Sequence, residues 1–183
     1  MNRRNIPNII TIVRILLVGP VVMLLQHEYY LAALLLFAVA GASDAVDGYL
    51  AKRYGWNSRL GSILDPLADK LLLVSTYLML GWLGQLPLWL VAAVLVRDIV
   101  IVLGAVGYYA LIGRYDLAPT LISKFNTLVQ IVLPLMVLVD QGVWTLPETW
   151  VNRMMDIVVA TTVLSGVHYV WSWGRRAYVN RKT

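Results

Sequence analysis

The sequence has no cysteine, little charge and only two histidines. The absence of cysteine excludes disulfide bonds and argues against sites for soft metals. Charged residues make up 14% of the 183 residues, whereas 60% are hydrophobic. A soluble domain of this size cannot hide so much apolar surface, because a small protein has a large surface relative to its volume. The composition therefore predicts that lipid surrounds most of the protein.

Six long apolar segments predict six transmembrane helices. Crossing the hydrocarbon core takes roughly 20 helical residues, and the segments that qualify are about 9–27, 30–52, 62–83, 87–112, 120–140 and 150–173. Their apolar residues run continuously, which argues against the alternating pattern of membrane strands. No internal repeat is visible. We expect an all-α integral membrane protein with a single domain over residues 1–183.

The positive charges predict how the helices are oriented. Almost all loop Lys and Arg residues fall on the side that holds both termini, and only Arg153 falls on the other side. The positive-inside rule therefore places both termini in the cytoplasm. Attraction to anionic lipid headgroups explains the net charge of +5 without nucleic acid as a partner. Since no amphipathic transit segment is visible, we expect the cytoplasmic (inner) membrane of a bacterium.

Four aspartates lie inside the predicted spans, where a charge costs about 2.5–3.5 kcal/mol. Asp44 and Asp47 are three residues apart, and Asp65 and Asp69 are four apart, so each pair lies on one helix face. The two spans are consecutive and antiparallel, which puts both pairs near the cytosol. Clustered carboxylates repel one another unless cations neutralise them. Hard oxygen ligands in this number suit Mg²⁺, Mn²⁺ or Ca²⁺.

Internal ion pairs are the alternative explanation for the charges inside the spans. Asp98 could pair with Arg14 or Arg97, whereas too few cations lie near the four aspartates to neutralise them. Small residues beside the carboxylates either pack helices closely or admit a ligand near the backbone, and the residues alone leave both readings open. These small residues are Gly48, Ala51 and Gly61.

The segment 44–69 closely resembles the signature of the CDP-alcohol phosphotransferases. That signature is D-x-x-D-G-x-x-A-R, a gap of seven or eight residues, and G-x-x-x-D-x-x-x-D. Here the chain reads D-A-V-D-G-Y-L-A-K, eight further residues, and G-S-I-L-D-P-L-A-D. Lys52 replaces the usual arginine, which keeps the charge but loses the bidentate fork. The N-terminal Asn5-Ile6-Pro7-Asn8, with Thr11 and Arg14, resembles the glycerophospholipid branch of the family.

The resemblance implies a fold, a cofactor and a reaction. The family fold has six transmembrane helices, usually as a homodimer, with a cavity open to the cytosol. Asp44, Asp47 and Asp65 are implied to hold two Mg²⁺ or Mn²⁺ ions on the diphosphate of CDP-diacylglycerol. Asp69 is implied to complete the metal site and to act as general base toward an alcohol acceptor. The residues implied to contact the CDP-lipid are Asp44, Gly48, Ala51, Lys52, Gly61 and Asp65.

The acceptor is predicted from the start of the fifth span. Its S-K-F-N-T, residues 123–127, resembles the S-K-x-N-T of CMP-forming cardiolipin synthases more than the G-K-x-K-T of phosphatidylglycerophosphate synthases. Phosphatidylglycerol, with one phosphate charge, needs fewer cations than glycerol 3-phosphate, with nearly two. Phosphatidylglycerol is the expected acceptor, and glycerol 3-phosphate is the alternative. A purely structural explanation of Asn126 also stays open, in which its side chain only caps or packs a helix. The expected acceptor-binding residues are Arg14, Arg97, Lys124 and Asn126.

A divalent-cation transporter is the alternative from another functional class, because carboxylates also line ion paths. Two features of the sequence count against it. The acidic residues cluster at the cytoplasmic mouth, and no inverted repeat is visible.

Overall fold

The chain folds into six α-helices in the part that the structure describes. The structure is a computed structural model that describes the backbone of residues 6–54, 61–112 and 121–180, and the side chains of residues 10–43, 53, 67–104, 121–169 and 171. The helices are α1 (Ile6–Gln26), α2 (Tyr30–Tyr54), α3 (Gly61–Trp82), α4 (Leu88–Ile112), α5 (Leu121–Gly142) and α6 (Glu148–Asn180). The predicted all-α fold with six helices is confirmed.

The helices agree with the predicted spans to within a few residues, except at the end of α6. That helix has 33 residues and continues to Asn180, beyond the predicted limit at 173. The sequence was divided by the length of its apolar segments, and a helix can continue into polar sequence where no proline stops it.

By length and composition, one helix within the described ranges is able to cross a membrane by itself, Leu121–Gly142. Two apolar helical stretches are shorter, Ile10–Gln26 and Tyr30–Ser43. Large apolar side chains are nevertheless exposed on every helix, for example Leu16, Leu35, Leu78, Leu103, Leu128 and Leu164. The six helices are established for the described residues, whereas six membrane crossings and cytoplasmic termini stay predictions.

The chain divides into two compact units that share α5. Unit 1 contains Met1–Leu86 and Pro134–Leu146, and unit 2 contains Pro87–Leu133 and Pro147–Thr183. The division in α5 falls at Pro134, a proline inside the helix. The predicted single domain over residues 1–183 stays a prediction.

Unit 1 is organised around α1, which packs against both α2 and α3. Its buried residues include Leu25 of α1, Ala33 of α2 and Tyr77 of α3. The end of α5 approaches the start of α2 so closely that a Cβ on Gly142 would lie 2.6 Å from the backbone nitrogen of Leu31. The sequence marks Gly142 as a helix breaker, and this close approach of two backbones gives it a second role.

Unit 2 is organised around the contact between α4 and α6. Its apolar core includes Leu90 and Val94 of α4 and Val158 of α6, all buried. Several polar side chains are buried in the same unit, and their hydrogen bonds join α4, the first part of α5, and α6. Buried polar groups at such a density require mutual hydrogen bonds, because each unsatisfied group carries a desolvation cost.

Candidate active site

The four aspartates of the signature lie on two consecutive helices. Asp44 and Asp47 belong to the C-terminal part of α2, and Asp65 and Asp69 belong to the first turns of α3. Because both segments are helical, each pair shares one helix face, as predicted. The side chains of Asp44, Asp47 and Asp65 lie outside the described residues. The same is true of four predicted contacts of the CDP-lipid, Gly48, Ala51, Lys52 and Gly61.

Among the side chains that the structure describes, no group of three or more His, Asp or Glu residues is arranged to hold a metal ion. This finding does not test the predicted metal site, because only Asp69 of its four members is included. Two Mg²⁺ or Mn²⁺ ions therefore stay a prediction. The chemistry of the donor set fits it, since four carboxylates in a chain without cysteine offer only hard oxygen ligands.

Asp69 is paired with an arginine on another helix. Nη1 of Arg14, on α1, donates a hydrogen bond to Oδ1 of Asp69 over 2.7 Å, across 55 residues of sequence. The cations near the four aspartates are expected to be too few to neutralise them all, and Arg14 is one cation that reaches Asp69. Arg14, which was considered as a partner of Asp98, has Asp69 as its partner.

The two members of this pair differ in their access to the surroundings. The side chain of Arg14 is 1% exposed, whereas that of Asp69 is 47% exposed. A buried guanidinium requires an anion, because removing the partner would leave an uncompensated charge in the interior. Asp69 satisfies that requirement with one oxygen while about half of its side chain stays accessible. An accessible carboxylate suits contact with a substrate or a metal ion.

A second arginine, Arg97 on α4, joins three helices in unit 2. Its Nη1 donates to Oδ1 of Asp98 over 2.8 Å, and its Nη2 donates to the hydroxyls of Ser123 on α5 over 2.8 Å and Ser165 on α6 over 2.7 Å. All four residues are buried. The proposed ion pair of Asp98 with Arg97 is confirmed. The acceptor role of Arg97 stays a prediction, and the geometry shows the guanidinium engaged by the protein's own groups.

Asn126, the residue that carries the acceptor prediction, is fully buried between α5 and α6. Its Oδ1 accepts a hydrogen bond from the hydroxyl of Thr162 over 3.1 Å, and that hydroxyl accepts one from Nε2 of Gln130 over 3.4 Å. Nδ2 of Asn126 is buried and has no hydrogen-bond partner within the described residues. The side chain thus bridges two helices and keeps an amide donor for a further group, so packing alone does not account for it.

The predicted acceptor residues belong to both units. Asn126 and Arg97 are buried in unit 2, and Arg14 is buried in unit 1. Lys124 is exposed, unlike Asn126 two residues further along α5. Neighbours two apart in a helix point to nearly opposite sides, which explains the difference.

Ser165 carries no charge, so it does not stand out among the residues of the predicted spans. A usable signal was present in the spacing of the uncharged polar residues. Ser123, Asn126 and Gln130 lie at i, i+3 and i+7 on α5, and Thr162 and Ser165 lie at i and i+3 on α6. Polar residues at these intervals share one helix face. Two such faces in apolar helices indicate a polar contact between those helices.

An apolar groove of about 690 Å³ runs between α5 and α6. The hydroxyl of Thr161 is bonded to the carbonyls of its own helix, and Nδ1 of His168 is buried without a hydrogen-bond partner in the described part of the chain. Apart from these two side chains the lining is almost entirely apolar, so the groove suits a hydrocarbon chain. The groove is lined by Leu121, Ile122, Phe125, Thr161, Leu164, Val167, His168 and Trp171.

Comparison of the sequence with known proteins identifies a family. The sequence model of the family described as "CDP-alcohol phosphatidyltransferase" matches residues 4–168. The chain is 35% identical over 184 residues to "CDP-diacylglycerol--glycerol-3-phosphate 3-phosphatidyltransferase 1, chloroplastic" of Oryza sativa subsp. japonica, with 90% of this chain and 56% of that protein covered.

Two further relatives are each named for one of the two candidate activities. "Cardiolipin synthase (CMP-forming)" of Homo sapiens is 35% identical over 148 residues, which cover 72% of this chain and 49% of the human protein. "Probable phosphatidylglycerophosphate synthase" of Mycobacterium tuberculosis is 32% identical over 177 residues, which cover 91% of this chain and 80% of the mycobacterial protein. The chain thus spans about half the length of the rice and human relatives and most of the mycobacterial one.

Proposed function

Because the chain belongs to the CDP-alcohol phosphatidyltransferase family, we propose that it transfers a phosphatidyl group from CDP-diacylglycerol to a glycerol-type alcohol and releases CMP. One observation carries the proposal: the four aspartates of the signature lie on consecutive helices, and Asp69 is accessible while a buried arginine holds it. The arrangement combines a fixed carboxylate with open access, as a group that receives a proton from a substrate requires.

The proposal includes two divalent ions, Mg²⁺ or Mn²⁺, held by Asp44, Asp47, Asp65 and Asp69. When bound, the ions would neutralise the diphosphate and stabilise the departing CMP. Gly48, Ala51, Lys52 and Gly61, with Asp44 and Asp65, would contact the CDP-lipid. The hard oxygen donors and the family signature support this assignment.

Asp69 acts in this proposal as the general base. The hydroxyl oxygen of the acceptor bonds to the phosphorus that bears the diacylglycerol, and its proton passes to the carboxylate of Asp69. The bond from that phosphorus to the bridging oxygen breaks, and CMP leaves with the electron pair. The accessible half of the Asp69 side chain supports this role.

The proposal places the protein in a membrane, as a homodimer in the cytoplasmic membrane of a bacterium. Large apolar side chains are exposed on all six helices within the described residues, as lipid contact requires. The substrate CDP-diacylglycerol is itself a membrane lipid, so the aspartates and its headgroup would meet at the cytoplasmic surface.

Phosphatidylglycerol is the leading acceptor in the proposal, which would make cardiolipin the product, and glycerol 3-phosphate is the alternative. The names of the relatives include both activities and do not decide between them. Two observations favour a lipid acceptor. The first is the unsatisfied amide nitrogen of Asn126, which stands where the G-K-x-K-T pattern has its second lysine. The second is the apolar groove between α5 and α6.

The test of this proposal is CMP release by the purified protein. The protein is supplied with Mg²⁺ or Mn²⁺, CDP-diacylglycerol and one acceptor at a time, and the lipid product is identified. Release with phosphatidylglycerol and formation of cardiolipin are expected. Release only with glycerol 3-phosphate would contradict the leading acceptor, and metal flux into proteoliposomes without any CMP release would instead support a transporter.

Asn126→Ala provides a test of the acceptor site. The substitution removes a hydrogen bond to a charged ligand, worth about 1.5–3 kcal/mol, so the KM for the acceptor should rise about tenfold to a hundredfold. The KM for CDP-diacylglycerol should stay unchanged. Leu128→Ala, an exposed neighbour on α5, is the matched control. An unchanged KM for the acceptor would show that Asn126 only packs the helices.

A further inference from the structure

We infer that Arg14 is a positioning residue for the reaction: it fixes the orientation of the Asp69 carboxylate toward the acceptor hydroxyl. This inference rests on the proposed function, in which Asp69 is the general base. It assigns to Arg14 a task that differs from acceptor binding. It is based on the short contact between the two side chains and on the contrast in their burial.

The contact is short and charged. Nη1 of Arg14 lies 2.7 Å from Oδ1 of Asp69, a distance typical of a charge-assisted hydrogen bond, which is roughly twice as strong as a neutral one. The two residues stand on α1 and α3, which pack against each other along unit 1. The bond therefore ties the carboxylate of Asp69 to α1 as well as to its own helix. The orientation of that carboxylate does not depend on α3 alone.

The burial of Arg14 makes it a rigid reference point. With 1% of its side chain exposed, the guanidinium is confined by the atoms packed around it. Asp69, by contrast, is 47% exposed, and loss of the bond would remove a contact that restricts its side-chain rotamer. A carboxylate in several orientations meets the substrate hydroxyl less often in a reactive geometry. Misplacement by about 1 Å can reduce the rate about a hundredfold.

The pairing with Asp69 separates Arg14 from a role in acceptor binding. The positive charge of Arg14 is matched by that carboxylate over 2.7 Å, so little of it is left for a substrate phosphate. Lys124 is exposed and is the better candidate for that contact.

A double-mutant cycle tests the inference on the full-length protein in detergent or liposomes. Arg14→Met, Asp69→Asn and the double variant are compared by kcat and by KM for both substrates. Asp69→Asn is suitable because the amide oxygen still accepts the bond from the buried guanidinium. Arg153→Met, an exposed residue at the start of α6, removes the same charge and is the matched control with unchanged kinetics.

We expect Arg14→Met to lower kcat about tenfold to a hundredfold without changing either KM. In the Asp69→Asn background the same substitution should have no further effect, because its target is already lost. Arg14→Lys should recover part of kcat, since it keeps the charge but lacks the planar fork.

Each other outcome overturns the inference in a distinguishable way. An equal loss of kcat in both backgrounds would show that Arg14 acts on the fold and not through Asp69. A rise in the KM for the acceptor would make Arg14 a substrate contact. Full activity of Asp69→Asn would instead remove the proposed general base, whatever Arg14 does. If Arg14→Met does not fold, Arg14→Gln and Arg14→Lys complete the same cycle, and additive losses there would equally contradict the inference.

Discussion

At the scale of residues, two buried arginines among the described side chains use their charge differently. Arg14 reaches a carboxylate that stays half exposed, whereas Arg97 is enclosed with Asp98, which is buried as well. The first pair keeps a reactive group accessible. The second joins α4 to α5 and α6 through Ser123 and Ser165, so its main effect is expected on stability.

Arg97→Met should destabilise the protein markedly. The substitution removes the cation beside a buried carboxylate and two further hydrogen bonds, and breaking a buried pair costs about 3–5 kcal/mol. Thermal unfolding in detergent measures the effect. Arg153→Met, exposed and on α6, serves as the control and should leave the midpoint unchanged. A midpoint of Arg97→Met equal to that of the wild type would contradict this structural role.

The sequence identified Arg14, Arg97, Asp98 and Asp69 as exceptional because charges inside apolar segments are costly. It left the partners open, since a partner depends on how helices pack and not on spacing along one helix. The pair of neighbours Arg97 and Asp98 was within reach of the sequence. The pair Arg14 and Asp69, 55 residues apart, required the packing of α1 on α3.

At the scale of elements, the six helices follow directly from the length of the apolar segments. Their contacts follow from less visible features, such as the polar faces of α5 and α6. Gly142 is a further example, because its role depends on the approach of α5 to the start of α2. A glycine at the end of a helix indicates a terminus from sequence alone, but no local pattern shows which backbone lies next to it.

Gly142→Ala tests this approach of the two backbones. The added Cβ would lie 2.6 Å from the nitrogen of Leu31 and 2.9 Å from the carbonyl carbon of Tyr30, so backbone must move. Overpacking of this kind costs about 1–3 kcal/mol, and thermal unfolding should show a lower midpoint. Gly19→Ala is the matched control, because a Cβ there meets nothing within 4 Å. Equal midpoints for both variants would contradict the close approach.

At the scale of the whole molecule, the distribution of Lys and Arg residues in the loops predicts the orientation in the membrane. Since the chain has no cysteine, an introduced cysteine is the only thiol that a maleimide can label. Trp144→Cys, in the connection between α5 and α6, should be labelled by an impermeant maleimide on intact cells. Ser58→Cys, between α2 and α3, should be labelled only after the membrane is opened. The reverse pattern would contradict cytoplasmic termini.

The signature that predicts the reaction extends over two helices and the connection between them. Sequence was sufficient for the family and for the positions of the aspartates on α2 and α3. The support of Asp69 by Arg14 was not foreseen, because it comes from α1, outside the signature.

The most direct test of the account compares CMP release from CDP-diacylglycerol by the wild type and by Asp69→Asn, each with Mg²⁺ or Mn²⁺ and the preferred acceptor. The wild type should release CMP only with metal present. The variant should be folded and about a hundredfold to ten-thousandfold slower, the usual contribution of a general base. Turnover of Asp69→Asn at the wild-type rate, or release that continues after chelation of the metal, would contradict the account.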